Sequence, residues 1–185
     1  MEEVQVKEHI NQIISGDTRE YSILVEQYKG MVYSICFKII GNQELAEEAA
    51  QDTFVKAFKS LNKFRGNSKF STWLYQIAYF TSINAARKGK KESVDLQEVY
   101  LSENKNELET DERKVLLHQA INQLKPEEKA IITLYYLKEL SLEEVAVVAR
   151  LSLSNVKVKV HRIKKKLGSI LENMLNEEIK ELKYE

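Results

Sequence analysis

Several residue types that define other classes of protein are scarce in this chain of 185 residues. Its one cysteine, Cys36, excludes a disulfide within the chain, and the apolar segment around it, MVYSICFKII, is typical of a buried core residue. The three histidines have neither a second histidine nor a cysteine at the spacing of metal ligands. We therefore expect neither a metal site nor a cofactor.

Long apolar runs are also absent from the sequence. No segment is apolar over a length that could cross a bilayer, and the N-terminus, MEEVQVKEHINQ, lacks the basic and then apolar pattern of a secretory signal. With 43% hydrophobic and 30% charged residues, the composition is that of a globular protein. These features predict a cytoplasmic location.

One proline and six glycines leave few positions that break regular structure. Apolar residues recur at intervals of three and four over long windows, which predicts an all-α fold. Capping residues indicate where individual helices begin. They are Asp17 with Glu20, Asn42, Ser71, Pro126, Ser141 with Glu144, and Ser152. Gly41 and Gly89 are expected to end the helices that precede them.

The composition of the sequence changes between Glu92 and Glu112. This segment contains eight acidic residues and one lysine, and its helical periodicity is weak. This composition predicts a flexible acidic linker. We therefore expect two small helical domains, residues 1–91 and residues 113–185, joined by residues 92–112.

The formal net charge is zero because 28 basic residues balance 28 acidic ones, but the charges are unevenly distributed. Thr53 to Lys91 contains nine lysine or arginine residues and no acid, and Asn155 to Lys166 contains six and no acid. Two separate cationic surfaces on a neutral chain favour two contacts with a polyanion, since each neutralised phosphate releases counterions. The alternative is that both are solvated helix faces.

The second cationic segment belongs to a predicted helix-turn-helix, LSLEEVAVVARLSLSNVKVKVHRIKKKL. Helical geometry places an apolar stripe of the long helix inward. It consists of Val156, Val160, Ile163 and Leu167, and the opposite face carries Val158, His161, Arg162 and Lys165. Arg162 can bind guanine bidentately, and Val158 suits a thymine methyl group. Phosphates would lie beside the flanking Lys157, Lys159 and Lys164. This pattern predicts a reader of duplex DNA.

The first cationic segment is rich in aromatic residues, as in FRGNSKFSTWLYQIAYF from Phe64 to Phe80. Rings interleaved with cations favour single-stranded nucleic acid, because unpaired bases stack on rings while the backbone attracts positive charge. Rings at helical spacing are more often core residues, so we expect a minority to contact a base, with Trp73 and Tyr79 or Phe80 in the core. The short basic loop from Arg65 to Lys69 is the better candidate for a pocket around a flipped base.

Acidic residues precede the first cationic segment, in a predicted helix where Glu44, Glu48, Gln51, Asp52 and Val55 share one face. The helix dipole accounts for Glu44 in the first turn, but it does not account for Asp52, which lies further along. We therefore predict that this face binds a protein partner with basic residues.

Three segments together resemble the bacterial extracytoplasmic-function (ECF) RNA polymerase sigma factors, over nearly the whole chain from about Tyr21 to Leu167. They are GNQELAEEAAQDTFVKAF, KFSTWLYQIAYFTSINAARK and the segment from Ala120 to Leu167. The resemblance implies a region 2 domain that binds core polymerase and melts the minus-ten promoter element, and a region 4 helix-turn-helix domain that reads the minus-35 element. It also implies core RNA polymerase, promoter DNA and an anti-sigma factor as partners, with no small-molecule substrate.

The same resemblance assigns residues to each contact. The clamp helices of the largest polymerase subunit would be bound by Glu48, Gln51, Asp52 and Val55. Single-stranded minus-ten DNA would be bound by Arg65, Asn67, Ser68, Lys69, Phe70, Trp73 and Lys88. The minus-35 element would be read by Ser154, Asn155, Lys157, Val158, Lys159, His161, Arg162 and Lys165. Where the family often has Asn, Asp and Arg, this chain has Phe80, Asn84 and Ala85, so strand separation is expected to depend more on the loop and on Lys88, Lys90 and Lys91.

Two other classes of function stay open. A stand-alone helix-turn-helix regulator would bind promoter duplex tightly without polymerase, whereas a helical interaction protein with solvated basic faces would show no salt-dependent binding to DNA. An enzyme is not predicted, because no helix presents a carboxylate pair or a nucleophile beside a base, and no catalytic residue is assigned.

Overall fold

The computed structural model describes residues 3–92 and 112–181, and within those ranges it is all-α, as the sequence predicts, with no strand. The helices are α1 (Glu3–Ile14), α2 (Tyr21–Ile40), α3 (Gln43–Ser60), α4 (Phe70–Glu92), α5 (Glu112–Asn122), α6 (Pro126–Ile132), α7 (Leu142–Ala149) and α8 (Leu153–Glu181). Short 3-10 turns cover Thr18–Glu20 and Leu61–Lys63, and a π-helical turn covers Thr133–Leu137. None of these described helices is both long enough and apolar enough to span a membrane.

The N-terminal group of helices is built on α2, α3 and α4, which pack against one another, with α1 against α2. Each helix contributes its apolar stripe to one core. Fully buried side chains include Val6 from α1, Leu24, Val32, Ile35 and Ile39 from α2, and Phe70 and Leu74 from α4. Helix α3 contributes mainly small residues, Ala46, Ala49, Ala50 and Ala57, which allow its backbone to approach its neighbours closely.

Two predicted helix ends in this group are confirmed. Gly41 ends α2 with a left-handed φ of 80°, a conformation in which glycine has no side-chain penalty. Asn42 caps α3, since its Oδ1 accepts a hydrogen bond of 2.9 Å from the Leu45 amide.

The predicted capping box at Asp17 and Glu20 does not form. Asp17 caps the 3-10 turn that precedes α2, but Glu20 accepts a hydrogen bond of 2.6 Å from His9 Nδ1 on α1. The Asp17 amide is already occupied, because it donates to the Gln12 carbonyl at 3.0 Å. A tertiary contact with α1 therefore replaces the local one.

The predicted ends of α4 are also wrong. The helix begins at Phe70, so Ser71 is its second residue rather than its cap, and the Lys69 carbonyl accepts from the Trp73 amide at 3.1 Å. Gly89 does not end the helix, which continues to Glu92. A Cβ atom at Gly89 would lie 3.0 Å from Leu45 Cδ1, so this glycine allows the helix to pass close to the start of α3.

The C-terminal group of helices is arranged around α7 and α8, with α5 and α6 against α8. Pro126 is the first residue of α6, as predicted from its fixed φ. The apolar stripe predicted for the long helix is buried at Val156, Val160 and Ile163, while Leu167 is half-buried at its edge. The fold is therefore two helical units, and the second one is a helix-turn-helix.

The two groups of helices pack against each other. Helix α4 contacts α7 and α6, and α2 contacts α6. Lys138 Nζ, for example, donates to Ser34 Oγ at 2.8 Å, and burial lowers the pKa of this lysine. The predicted acidic linker lies outside the described residues apart from its end residues, so the boundaries at residues 91 and 113 stay predictions.

The packing in the N-terminal group predicts a contrast between two neighbouring residues of α2. Leu24 is 1% exposed, whereas Ile23 is 41% exposed. We expect Leu24→Ala to lower the free energy of unfolding by about 2 to 5 kcal/mol, because it removes buried contacts and leaves a cavity. Ile23→Ala should cost about 0.5 kcal/mol or less. Urea denaturation measures both values, and equal losses would contradict this description of the core.

Candidate nucleic-acid and protein interfaces

The helix-turn-helix has hydrogen-bonded caps at the starts of both of its helices, α7 and α8. Ser141 Oγ accepts from the Glu144 amide at 3.1 Å and Glu144 Oε2 accepts from the Ser141 amide at 2.9 Å, which completes the predicted capping box of α7. Arg150 ends α7 in the left-handed conformation, with φ 54° and ψ 45°. Ser152 Oγ then accepts from the Asn155 amide at 3.3 Å at the start of α8, as predicted. Short-range bonds thus fix the direction in which α8 leaves the turn.

Helix α8 presents the outward face that the sequence predicts. Its members, Val158, His161, Arg162 and Lys165, are all exposed, and we refer to them as the reading face. Val158 is 46% exposed although Val156 and Val160, two residues away on either side, are buried. Ser154, Asn155 and Lys157 are also exposed, and Lys159 is half-buried. An exposed valine surrounded by cations, on a segment without an acid, suits the edges of bases in a major groove.

The aromatic residues near the loop from Arg65 to Lys69 form a compact cluster. The ring centroids of Phe64, Phe70 and Trp73 lie 5.4 to 5.5 Å apart, and Tyr28 contacts Phe70 at 5.3 Å. Phe70 is 1% exposed, so it offers no free face to a base, while Phe64 and Trp73 are half-buried. Phe70 therefore supports the loop from within.

The loop itself is exposed at Arg65, Asn67 and Lys69, with Ser68 half-buried. Gly66 has a left-handed φ of 71°, which turns the chain sharply between the two halves of the loop. Helix α1 places Lys7 beside this turn, because a Cβ atom at Gly66 would lie 3.9 Å from Lys7 Cε. Sequence reasoning missed Lys7, since no local pattern relates it to a loop so distant along the chain.

One stripe of α4 continues from the aromatic cluster along the helix. Trp73, Gln76, Phe80 and Arg87 follow one another at intervals of three, four and seven, and we call them the outer face of α4. Tyr75 and Tyr79 are buried, and burial raises the pKa of Tyr79 to about 12. The expectation that some of these rings belong to the core is confirmed for Tyr79, whereas Phe80 stays 36% exposed. Lys88 is exposed near the end of the helix.

Helix α3 carries its acids on the face away from the core. Glu44, Glu48, Gln51, Asp52 and Val55 are exposed, and we call them the acidic face of α3. Asp52 Oδ2 lies 3.5 Å from Lys56 Nζ, an exposed pair one helical turn apart. Such pairs contribute little stability, so the carboxylate remains available to a partner.

An apolar groove adjoins the acidic face. Its volume is about 610 Å³, and it is lined by Thr18, Arg19, Tyr21, Ser22, Phe54, Val55, Phe58 and Lys59. Val55 is 49% exposed and Phe58 is 41% exposed. Sequence reasoning missed Phe58, although its position three residues after Val55 on a helix places the two on the same side.

In the residues that the structure describes, no group of three or more histidine, cysteine, aspartate or glutamate side chains is arranged to hold a metal ion. Cys36 is fully buried, and burial raises the pKa of its thiol. The candidate surfaces are formed by exposed residues of α3, α4, α8 and the loop.

Two family profiles match this chain in separate segments. The profile described as Sigma-70 region 2 matches residues 24–92, and the profile described as Sigma-70, region 4 matches residues 114–167. The first segment contains the acidic face of α3, the loop and the outer face of α4. The second contains the helix-turn-helix and the reading face of α8.

Individual curated proteins are similar to part of the chain. The ECF RNA polymerase sigma factor SigW of Bacillus subtilis is 39% identical over 88 residues, which cover 48% of this chain and 47% of that protein. The RNA polymerase sigma factor YlaC of the same organism is 44% identical over 68 residues, 37% of this chain and 39% of that protein. The chain therefore spans about half or less of the length of the curated relatives it matches.

Two solved structures share the fold. CnrH in complex with the cytosolic domain of CnrY has a TM-score of 0.63 at 22% identity, covering 89% of this chain and 96% of that chain. The sigma factor RpoE in complex with the anti-sigma factor NepR from Bartonella quintana has a TM-score of 0.61 at 18% identity, covering 83% of this chain and 98% of that chain. At these sequence identities the similarity shows a shared fold and nothing more.

The capping box at the start of α7 predicts the effect of removing a cap. We expect Ser141→Ala to lower the free energy of unfolding by about 1 kcal/mol, because the Glu144 amide loses its acceptor. Ser169→Ala is the matched control, since Ser169 is exposed within α8 and its hydroxyl bonds the Lys165 carbonyl of the same helix. Thermal and urea unfolding compare the variants. Equal stability of Ser141→Ala and wild type would argue against a stabilising role for the cap of α7.

Proposed function

We propose that this chain, which belongs to the ECF sigma factors of the sigma-70 family, binds core RNA polymerase, directs it to specific promoters and helps to separate the DNA strands. The observation that carries the proposal is the distribution of charge over the two segments that match the family profiles. An exposed acidic face, a cationic loop beside half-buried rings and a cationic reading face occupy different elements of one neutral chain. The stand-alone regulator is not favoured, because it needs only the last of these surfaces.

The acidic face of α3 is proposed to bind the clamp helices of the largest polymerase subunit. Glu48 and Asp52 supply negative charge, while Val55 and the neighbouring Phe58 supply apolar area. An interface that combines apolar contact with charge complementarity gains both affinity and a defined orientation. The groove beside Val55 offers room for a side chain of the partner.

The loop from Arg65 to Lys69 is proposed to hold the separated non-template strand at the minus-ten element. Arg65 and Lys69 attract the backbone, and Asn67 and Ser68 can bond the polar edge of an unstacked base. Trp73 is a half-buried ring next to the loop, as is Phe64, and the buried Phe70 supports the loop from inside. Stacking contributes about 1 to 3 kcal/mol per base, which offsets part of the cost of opening a duplex. Lys88 would meet the strand further along α4.

The helix-turn-helix is proposed to place α8 in the major groove of the minus-35 element. Arg162, His161 and Val158 would contact base edges. Phosphates would be contacted by Ser154, Asn155, Lys157, Lys159 and Lys165. Residues 1–91 and 113–185 would then be the two promoter-binding domains, with residues 92–112 between them.

The proposed role is that of a non-enzymatic specificity subunit that works with the polymerase in the cytoplasm. Catalysis of nucleotide addition would belong to the polymerase. An anti-sigma factor is a further proposed partner, because RpoE of Bartonella quintana, which shares this fold, was solved with one. Core polymerase and promoter DNA are proposed as the other two partners.

Reversing one charge on the acidic face tests the contact with polymerase. We expect labelled wild-type protein to bind purified bacterial core polymerase tightly, and Asp52→Lys to weaken that binding at least tenfold, because the lysine would repel a basic partner surface. Glu8→Lys, on the exposed side of α1, is the control with the same change in charge and should bind like wild type. If neither wild type nor control bound polymerase, while duplex DNA alone was bound well, the stand-alone regulator would replace this proposal.

Sequence selection tests the reading face. We expect polymerase carrying Arg162→Ala to lose its preference at one base pair of the upstream element, with a loss of about 1 to 3 kcal/mol at that position. Lys159→Ala, a proposed phosphate contact, should weaken all sequences alike and lower the salt dependence. Sequencing of duplexes selected from a random library gives the base preference, and binding measured at several salt concentrations gives the affinity and its salt dependence. An unchanged preference with Arg162→Ala would exclude it as a base reader.

A further inference from the structure

Basic side chains from both groups of helices meet where α2 packs against α6 and the π-helical turn. Lys38 lies on α2, four residues after Ser34 and therefore on the same side of the helix. Ser34 Oγ accepts a hydrogen bond of 2.8 Å from Lys138 Nζ, and Lys138 directly follows the π-helical turn. The fold thus brings two ammonium groups together from distant parts of the chain.

Helices α5 and α6 add two more basic side chains at this junction. His118 is exposed on α5, whereas Lys129 of α6 is 7% exposed. Lys129 Nζ donates to Asn122 Oδ1 at 2.7 Å, and Asn122 lies one turn along α5 from His118. We refer to Lys38, His118, Lys129 and Lys138 as the junction cluster.

The members of the junction cluster repel one another. Burial lowers the pKa of Lys138, and the positive charge of Lys38 lowers it further. Burial also lowers the pKa of His118, with further contributions from the charges of Lys38 and Lys129. Water and salt screen charges that are far apart, so this mutual influence indicates that the groups are near neighbours. The four side chains therefore form one electrostatic site.

Acidic side chains do not balance the accessible members of the junction cluster. Within residues 3–92 and 112–181, no carboxylate forms an ion pair with Lys38, Lys138 or His118. Glu127 and Glu128, the acids in the first turn of α6, pair with other basic residues. Because Lys38 and Lys138 are only half-buried, a dissolved anion can reach them.

We infer that the junction cluster is a binding site for a small oligophosphate, a molecule with two or more linked phosphate groups. A lysine ammonium group is a point charge with three hydrogen-bond donors, and it commonly binds phosphate. A phosphate group carries a charge of about −1.5 to −2 at pH 7. Lys38, Lys138 and a protonated His118 supply three positive charges, so two linked phosphates match them better than one. An anion beside His118 also favours its protonated form.

The position of the junction cluster favours a small ligand over a nucleic-acid backbone. Its lysines are half-buried or buried where several helices pack together, whereas the reading face of α8 is an exposed stripe along one helix. A DNA strand needs a continuous open surface for successive phosphates, and a small oligophosphate does not. This site goes beyond the proposed function and does not depend on it.

The three histidines give a direct readout, because each lies in a different place. His118 belongs to the junction cluster, His161 to the reading face and His9 to α1. NMR spectra of the full chain record the imidazole signals, which single His→Gln variants assign, while sodium tripolyphosphate is added at constant pH and ionic strength. We expect a saturable shift of the His118 signal at a lower tripolyphosphate concentration than any shift of His161, and no shift of His9.

Two variants test the lysines by isothermal titration calorimetry with tripolyphosphate. Lys38→Gln removes one charge, and within the described residues Lys38 has no hydrogen-bond or ion-pair partner to lose. Lys138→Gln removes the second charge. Lys29→Gln is the matched control, since Lys29 is an exposed lysine of the same helix as Lys38. We expect Lys38→Gln and Lys138→Gln each to weaken binding at least fivefold, and Lys29→Gln to bind like wild type.

Several results would overturn the site. One is a His161 shift without a His118 shift, which would place the anion on the reading face. Equal binding by Lys38→Gln, Lys138→Gln and Lys29→Gln, or no binding by wild type, would have the same consequence. A His118 signal that responds to duplex DNA but not to tripolyphosphate would make the junction cluster a nucleic-acid contact instead. None of these measurements involves polymerase, so the proposed function is tested separately.

Discussion

A neutral chain with two cationic surfaces, each proposed to contact a polyanion, has to keep its acids away from both of them. Here the acids are placed on the outward face of α3, in the first turns of α6 and α7, and in the segment between residues 92 and 112. The acids in the first turns of α6 and α7 have a local physical reason as well, since carboxylates at the start of a helix are stabilised by the positive end of its dipole. The same partition makes Glu127 of α6 available to Arg87 of α4, and the two side chains form a hydrogen-bonded ion pair.

Helix α4 is the element on which the proposed functions converge. Its inner side fills the core between α2 and α3 through Phe70, Leu74 and Ala78, which fixes the position of the helix. Its first turn supports the cationic loop, and its outer side holds Gln76, Phe80 and Arg87. Because packing holds its inner side in place, α4 can present its outer side to a binding partner without refolding.

Much of the fold could be predicted because its signals are local. Asn42, Ser141 and Ser152 cap helices through amides three residues away, and the buried stripe of α8 follows from helical periodicity. The errors arose where a distant segment determined the outcome. Glu20 accepts a hydrogen bond from His9 and does not complete a capping box. Gly89 does not end a helix but leaves space for the Leu45 side chain. Phe70 is buried by Tyr28 and the neighbouring rings. The position of Lys7 beside the loop and the contact between α4 and α7 both depend on tertiary packing. Neither produces a periodic pattern in the sequence.

The contact between Arg150 and Phe80 gives a physical reason for one departure of this chain from the common family pattern. Phe80 stands where the resemblance leads one to expect asparagine, and in the structure its ring receives the Arg150 guanidinium. An asparagine at that position would offer no ring to this cation. Arg150 reaches Phe80 and Gln76 from a left-handed backbone conformation that also ends α7, so one residue takes part both in the turn of the helix-turn-helix and in the contact with α4. Arg150 therefore joins the turn to the proposed single-strand surface, and the two proposed DNA-binding regions are connected by side-chain contacts as well as by the chain between them.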